Sequence, residues 1–161
     1  MEVHQKPKAT PAMILKVVGL ANSMALGFGA AFYAGYNSLP YVLVPCIFLE
    51  ISCSSCFVLI RRYLMGTLFQ GQNPNTMKGA FWLGCVMLAV SIVGCFVFGI
   101  TGFVKIEGFV YKAYGLYAAL VPCLLAVVWS CVLVYDAKYY WRLWQRELGN
   151  RMAGNHIIFR P

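Results

Sequence analysis

The sequence predicts an all-α fold, an integral membrane bundle of four transmembrane helices in up-down-up-down order with a short C-terminal interfacial helix. Three observations carry that prediction. Of the 161 residues, 61% are hydrophobic and 11% charged, whereas an ordinary soluble domain is about 45–50% apolar and about 25% charged. Four apolar stretches reach the ~20 residues that a helix needs to cross about 30 Å of hydrocarbon at about 1.5 Å per residue. The lysines and arginines gather at alternate ends of those stretches. Lipid as the solvent accounts for all three, since it demands apolar outward faces and a backbone paired within itself. Residues 1–161 read as one domain, because no other stretch is long or polar enough to make a second.

The first span is expected over residues 13–36, and its Gly19, Ser23, Gly27, Ala31 and Gly35 recur every fourth residue. That spacing lays one smooth groove along a helix face, with Ala25 and Gly29 beside it. Small residues let helices approach closely where lipid supplies no hydrophobic drive. The groove is therefore a packing face, toward the chain's own helices or toward a second copy or another subunit. A short NSLP turn leads into the second span, residues 41–60, which carries Pro45 and Glu50. The polar link 61–78 has a GQNPNT core rich in turn formers. The third span, 79–104, repeats the small-residue spacing at Ser91, Cys95 and Gly99. After KIEG, the fourth span, 110–135, does so at Ala118, Pro122, Ala126 and Ser130.

Leu43–Cys46 and Leu120–Cys123 both read LVPC. Two hairpins related by an axis along the membrane normal would produce such a repeat, though four residues in apolar sequence also match by chance. Pro45 and Pro122 should each kink a helix. Past residue 135 the segment DAKYYWRLWQREL should carry the chain into the interface, with Tyr140, Trp144 and Leu148 along one face and Gly149-Asn150 as the stop. The tail 136–161 is thus either an aromatic anchor at headgroup level or a docking surface for a partner, and the apolar HIIFRP ending favours the latter.

Eleven of the thirteen Lys and Arg residues fall on one side of the spans, and only Lys105 and Lys112 on the other. The positive-inside rule then puts both termini on the cytoplasmic or matrix-equivalent side. Tyr33, Tyr36, Tyr41, Tyr111 and Tyr114 suggest an outer aromatic belt, and Trp82, Trp129, Tyr135 and Tyr139–Trp141 an inner one. The net charge of +8 flanks apolar segments instead of forming a patch, which argues against nucleic acid. The apolar run after the basic N-terminal tail is too long for a secretory h-region. All seven cysteines lie in the spans, so no disulfide-stapled ectodomain is expected.

Glu50 is the residue that most needs explaining. It is the one acid at mid-membrane depth, where a charge costs at least ~2.5–3.5 kcal/mol on insertion scales. Asn22 and Ser91 lie near its depth and no Lys or Arg does, so a neutral or water-linked carboxyl is expected, with Glu50, Asn22 and Ser91 as the candidate ion or proton site. Cys53 and Cys56 have redox-pair spacing, and with Cys85 and Cys131 could converge on a soft metal. Their place inside apolar helices favours plain packing, and no metal is expected. His4 and His156 are both in the tails, which excludes a haem ligated by a histidine pair within the bilayer. With no catalytic motif present, the chain reads as no enzyme, and no cofactor is expected.

Two functions remain. The first is a non-catalytic membrane subunit or assembly factor, embedded in the lipid bilayer with other membrane protein subunits. The second is a small oligomeric transporter or channel that uses Glu50 as its proton or cation site; a homo-oligomer would favour this second reading, and a heteromeric complex the first. The topology is directly testable. Cysteines introduced at Ser38 and at Asn73 should be labelled from opposite sides of sealed vesicles, and labelling of both from one side would break the four-span reading.

Overall fold

The computed structural model of the protein describes residues 10–65, 74–104 and 116–158. They form α1 (Pro11–Tyr36), α2 (Pro40–Leu64), α3 (Pro74–Val104) and α4 (Tyr117–Ile158), with no strand among the described residues. All four helices are long and apolar enough to cross a membrane. The protein is an all-α, multi-pass membrane bundle.

Local chemistry sets the ends. Thr10 caps α1 by accepting from the Met13 backbone N–H at 3.4 Å, and Pro11 fills the first turn, where a missing N–H costs nothing. Asn37 closes α1, its side chain donating to the Tyr33 carbonyl at 2.9 Å. Ser38 then takes φ 54°, a left-handed conformation that reverses the chain within three residues before Pro40 opens α2. Residues 110–115 of the expected fourth span, and the KIEG link, lie outside the described residues. The expected interfacial segment is the continuation of α4, which runs unbroken through Gly149-Asn150 to Ile158. A glycine inside a helix costs only ~1 kcal/mol, so it does not by itself stop one.

The helices α2 and α4 form the centre, with α1 packed on α2 and α3 packed on α4. Their burial patterns nearly superimpose. Each buried residue of α2 has a buried α4 counterpart 77 positions later: Pro45 and Pro122, Cys46 and Cys123, Leu49 and Ala126, Cys53 and Ser130, Ile60 and Ala137 among them. Both LVPC segments share one pattern, with Val44 and Val121 exposed and the Pro-Cys pairs buried. The match is confined to these two helices: Leu20, Ser23 and Gly27 of α1 are buried, whereas Val97, Ile100 and Val104 of α3, 77 positions later, are exposed.

The small-residue stripe of α4 is buried as the spacing predicted, at Ala118, Pro122, Ala126 and Ser130. That of α3 is buried only at Ser91. Its buried residues are Met77, Gly84 and Ser91, seven apart, and then Gly102, while Cys95 is half-buried and a Cβ on Gly99 would meet nothing. A seven-residue repeat keeps one seam against a neighbour when helices pack at a shallow angle. At Gly84 the approach to α4 is close, with an added Cβ 3.2 Å from the Val134 backbone nitrogen.

The core divides into two clusters. One holds Leu20, Cys53, Cys56, Trp129, Leu133 and Tyr140. The other holds Ala34, Val42, Cys46, Ala118 and Ala119, at the end nearer the NSLP turn. Trp129 is 8% exposed and inside the bundle, which corrects its expected place in an aromatic belt. Tyr140 is also buried, its ring 4.9 Å from Tyr63 of α2.

Lys16 of α1 donates to both carboxylate oxygens of Asp136 in α4, at 2.8 and 3.0 Å. Asp136 is the more buried partner, at 4% side-chain exposure against 29% for Lys16. Removing one partner of a buried pair strands the other, and the cost scales with how far the survivor is from water. Lys16→Met should therefore destabilise the detergent-solubilised bundle by ~2 kcal/mol, below the range for fully buried pairs. Asp136→Asn should cost less, because the lysine left behind can reach the interface. Thermal melts of the two variants measure the order.

Candidate functional site

The groove of α1 is occupied by the protein's own side chains. A Cβ on Gly19 would lie 3.4 Å from the Trp129 ring. Four residues on, Ser23 accepts the Trp129 indole N–H at 2.8 Å. Four further on, Gly27 receives the carboxyl of Glu50, with Leu49 Cδ2 at 3.3 Å from where a Cβ would stand. Ala31 packs at the edge of the outer cluster. Gly35 is exposed and open. The groove is thus an internal seat for Trp129 and Glu50 along its first three positions.

Both Glu50 oxygens are buried and neither has a hydrogen-bond partner among the described residues. The carboxyl lies in the Gly27 notch between α1 and α2, at the level where one core cluster gives way to the other. Ser91 Oγ is also buried without a partner, but on a different face. It lines an apolar cleft of about 230 Å³ with Pro45 and Phe48 of α2, Gly94 of α3 and Cys123 of α4. A second cleft, of about 160 Å³, separates α1 from α4 beside Leu26, Ala30 and Pro122, with Leu49 also in its wall. Glu50 lines neither of the two clefts.

The candidate set Glu50, Asn22 and Ser91 is therefore not brought together. Asn22 is exposed on the outer face of α1, one residue from the inward Ser23, and one residue is about 100° of rotation on a helix. Equal depth in the sequence placed the three residues in one layer but could not place them around it. The cysteines separate in the same way. Cys53 and Cys56 are buried, Cys85 is half-buried on α3 and Cys131 is exposed. No cluster of three or more His, Cys, Asp or Glu residues forms among the described residues. Cys56 instead donates to the Trp129 carbonyl at 3.4 Å.

The sequence reading missed the polar ties between helices. Ser52 and Ser130 are hydrogen-bonded at 3.0 Å across the α2–α4 contact. Lys16 and Asp136 were opposite charges at the same end of their spans, and that equality of depth was the available signal. No known family, curated protein sequence or solved structure matches this chain. The site therefore rests on its own geometry.

That geometry makes a sharp prediction at Gly27. Gly27→Ala places a methyl on the Glu50 carboxyl, and overpacking of this kind costs ~1–3 kcal/mol. Gly29→Ala, with open space around it, should leave the melting temperature unchanged or slightly raised, since alanine is the better helix former. The two residues in contact should also couple: Gly27→Ala combined with Glu50→Ala should recover most of the loss. Equal melts for the two alanine variants, or strict additivity in the double variant, would contradict this seating of Glu50.

Proposed function

We propose that the protein is a non-catalytic integral membrane subunit or assembly factor of a larger membrane complex. Asn22 carries this reading. It stands midway along α1, exposed, and no described residue hydrogen-bonds to it. An amide facing hydrocarbon is stabilised when a neighbouring helix supplies the missing hydrogen bonds. Ala21, Ala25 and Gly29 share that exposed side at four-residue spacing, so another helix could come close there. In this reading both termini lie on the cytoplasmic or matrix-equivalent side.

A second reading, a small oligomeric transporter or channel working through Glu50, draws on the two unpartnered carboxyl oxygens. Against it, the clefts nearest that level are apolar and Glu50 lines neither, although Gly27, beside its carboxyl, is in the wall of one. One set of measurements separates the readings. In mild detergent the native protein should run in a defined heteromeric complex, and Asn22→Leu should release it while the bundle melts as before. Glu50→Gln keeps the shape of a neutral acid and should leave that complex intact. A homo-oligomer that loses ion or proton flux in vesicles with Glu50→Gln, while still assembling, would favour the transporter.

A further inference from the structure

At the end of the bundle where α3 begins, a cleft of about 230 Å³ opens between α3 and α4. Its walls are Phe81 and Trp82 from α3 and Ala137 and Trp141 from α4, and its rim carries Lys78 and Lys138. We propose that this cleft binds one anionic phospholipid, with the phosphate between the two lysines and the upper part of an acyl chain against the aromatic wall.

The depth fits a headgroup. Lys78 immediately precedes the apolar run of α3, and Lys138 follows that of α4, so both ammonium groups stand at the hydrocarbon boundary. Trp82 is 66% exposed at the same level, the position that an amphipathic ring prefers in a bilayer. Lys78 is held over the cleft by Trp141, its Nζ 5.4 Å from the ring centroid, and Trp141 is in turn stacked on Trp144 with centroids 5.6 Å apart. The aromatic wall thus supports the cation as well as lining the apolar slot.

The charge is unanswered within the described protein. Neither Lys78 nor Lys138 forms an ion pair among the described side chains, and Asp136, close by in sequence, is buried and bound to Lys16. A zwitterionic lipid would bring a cation of its own with the phosphate and leave the two lysines without net counter-charge, and a soluble anion would leave the apolar walls bare. A molecule with an anionic head and an acyl tail matches both, which is how basic pockets between transmembrane helices select acidic lipids.

Bromine-labelled acyl chains test the proposal, because bromine quenches tryptophan on contact and Trp82 and Trp141 line the cleft. The full chain is reconstituted in phosphatidylcholine vesicles with increasing brominated phosphatidylglycerol, and separately with increasing brominated phosphatidylcholine. Each lysine near a membrane surface raises the preference for an acidic lipid about fivefold, so phosphatidylglycerol should be preferred about thirtyfold in quenching. Combined Lys78→Gln and Lys138→Gln should bring the two lipids to parity, and the paired Lys→Arg substitutions should keep the preference. Equal quenching by both lipids in the unaltered protein would overturn the proposal. So would a preference that survives the double Gln change. Inorganic phosphate at matched ionic strength should not relieve the quenching, and relief by phosphate alone would mean a site for a soluble anion instead of a lipid.

Discussion

The indole of Trp129 is the contact on which the arrangement of the bundle depends. Its ring fills the space left by Gly19, its N–H is satisfied by Ser23, and its backbone carbonyl accepts from Cys56. One residue of α4 is thereby fixed to both α1 and α2. In lipid the usual hydrophobic drive between helices is absent, and an unsatisfied N–H has no water to turn to. A large ring with one donor can sit there only if a neighbour offers both a hollow and an acceptor. The spacing of Gly19 and Ser23 on one helix face provides both. The Lys16–Asp136 pair lies at the same end of α1 and α4 and reinforces the same junction.

Toward the other end this connection weakens. Past Gly27 the α1–α4 space is a cleft, and α1 depends on α2 through Ala34, Val42 and Cys46. The prolines lie where that change occurs, Pro45 beside the cleft that holds Ser91 and Pro122 beside the one next to Gly27. A helix-interior proline removes a hydrogen bond and crowds the preceding turn, and each of these two lines one of the clefts flanking the central helices. Glu50 sits at the same level and lines neither cleft, although Gly27, against which its carboxyl packs, is in the wall of the one between α1 and α4. A carboxyl so enclosed acts first as a filler of the Gly27 notch, whatever else it does.

Much of this was legible in the sequence, and what was not has a common cause. Composition and span length are scalar properties, and they gave the all-α membrane class, with α1 and α2 ending within a few residues of the expected spans while α3 starts at Pro74 and α4 runs on to Ile158. Four-residue spacing along one helix is also internal to that helix, so the faces at Gly19–Gly27 and Ala118–Ser130 could be read directly. What failed were statements that needed the angle of one helix relative to another. Glu50, Asn22 and Ser91 were grouped by depth, but they point three ways. Trp129 was placed in a belt because tryptophans favour interfaces, although it lies six residues inside the expected end of its span. The α3 stripe was misread because its true repeat is seven, through Gly84 and Ser91, and four-residue steps drift off that seam within two turns.

The sequence places eleven cations at one end of the spans, and only Glu2, Asp136 and Glu147 among its acids lie there with them. Asp136 is committed to Lys16. Most of the positive charge at that end therefore has no counter-charge available in the chain. Exposed cations in water need none, but Lys78 and Lys138 stand beside tryptophans at the edge of hydrocarbon, where solvation is poorer and an anion is worth more. Counter-charge has to come from the surroundings, and at that depth the surroundings are lipid headgroups or an acidic neighbour. In the proposed readings the asymmetry of charge is answered by an anionic lipid at one rim of the bundle, and the outward amide of Asn22 by a neighbouring helix at its middle. Both proposals place the unmatched chemistry of the chain on its outward faces, where the surroundings and not the bundle would satisfy it.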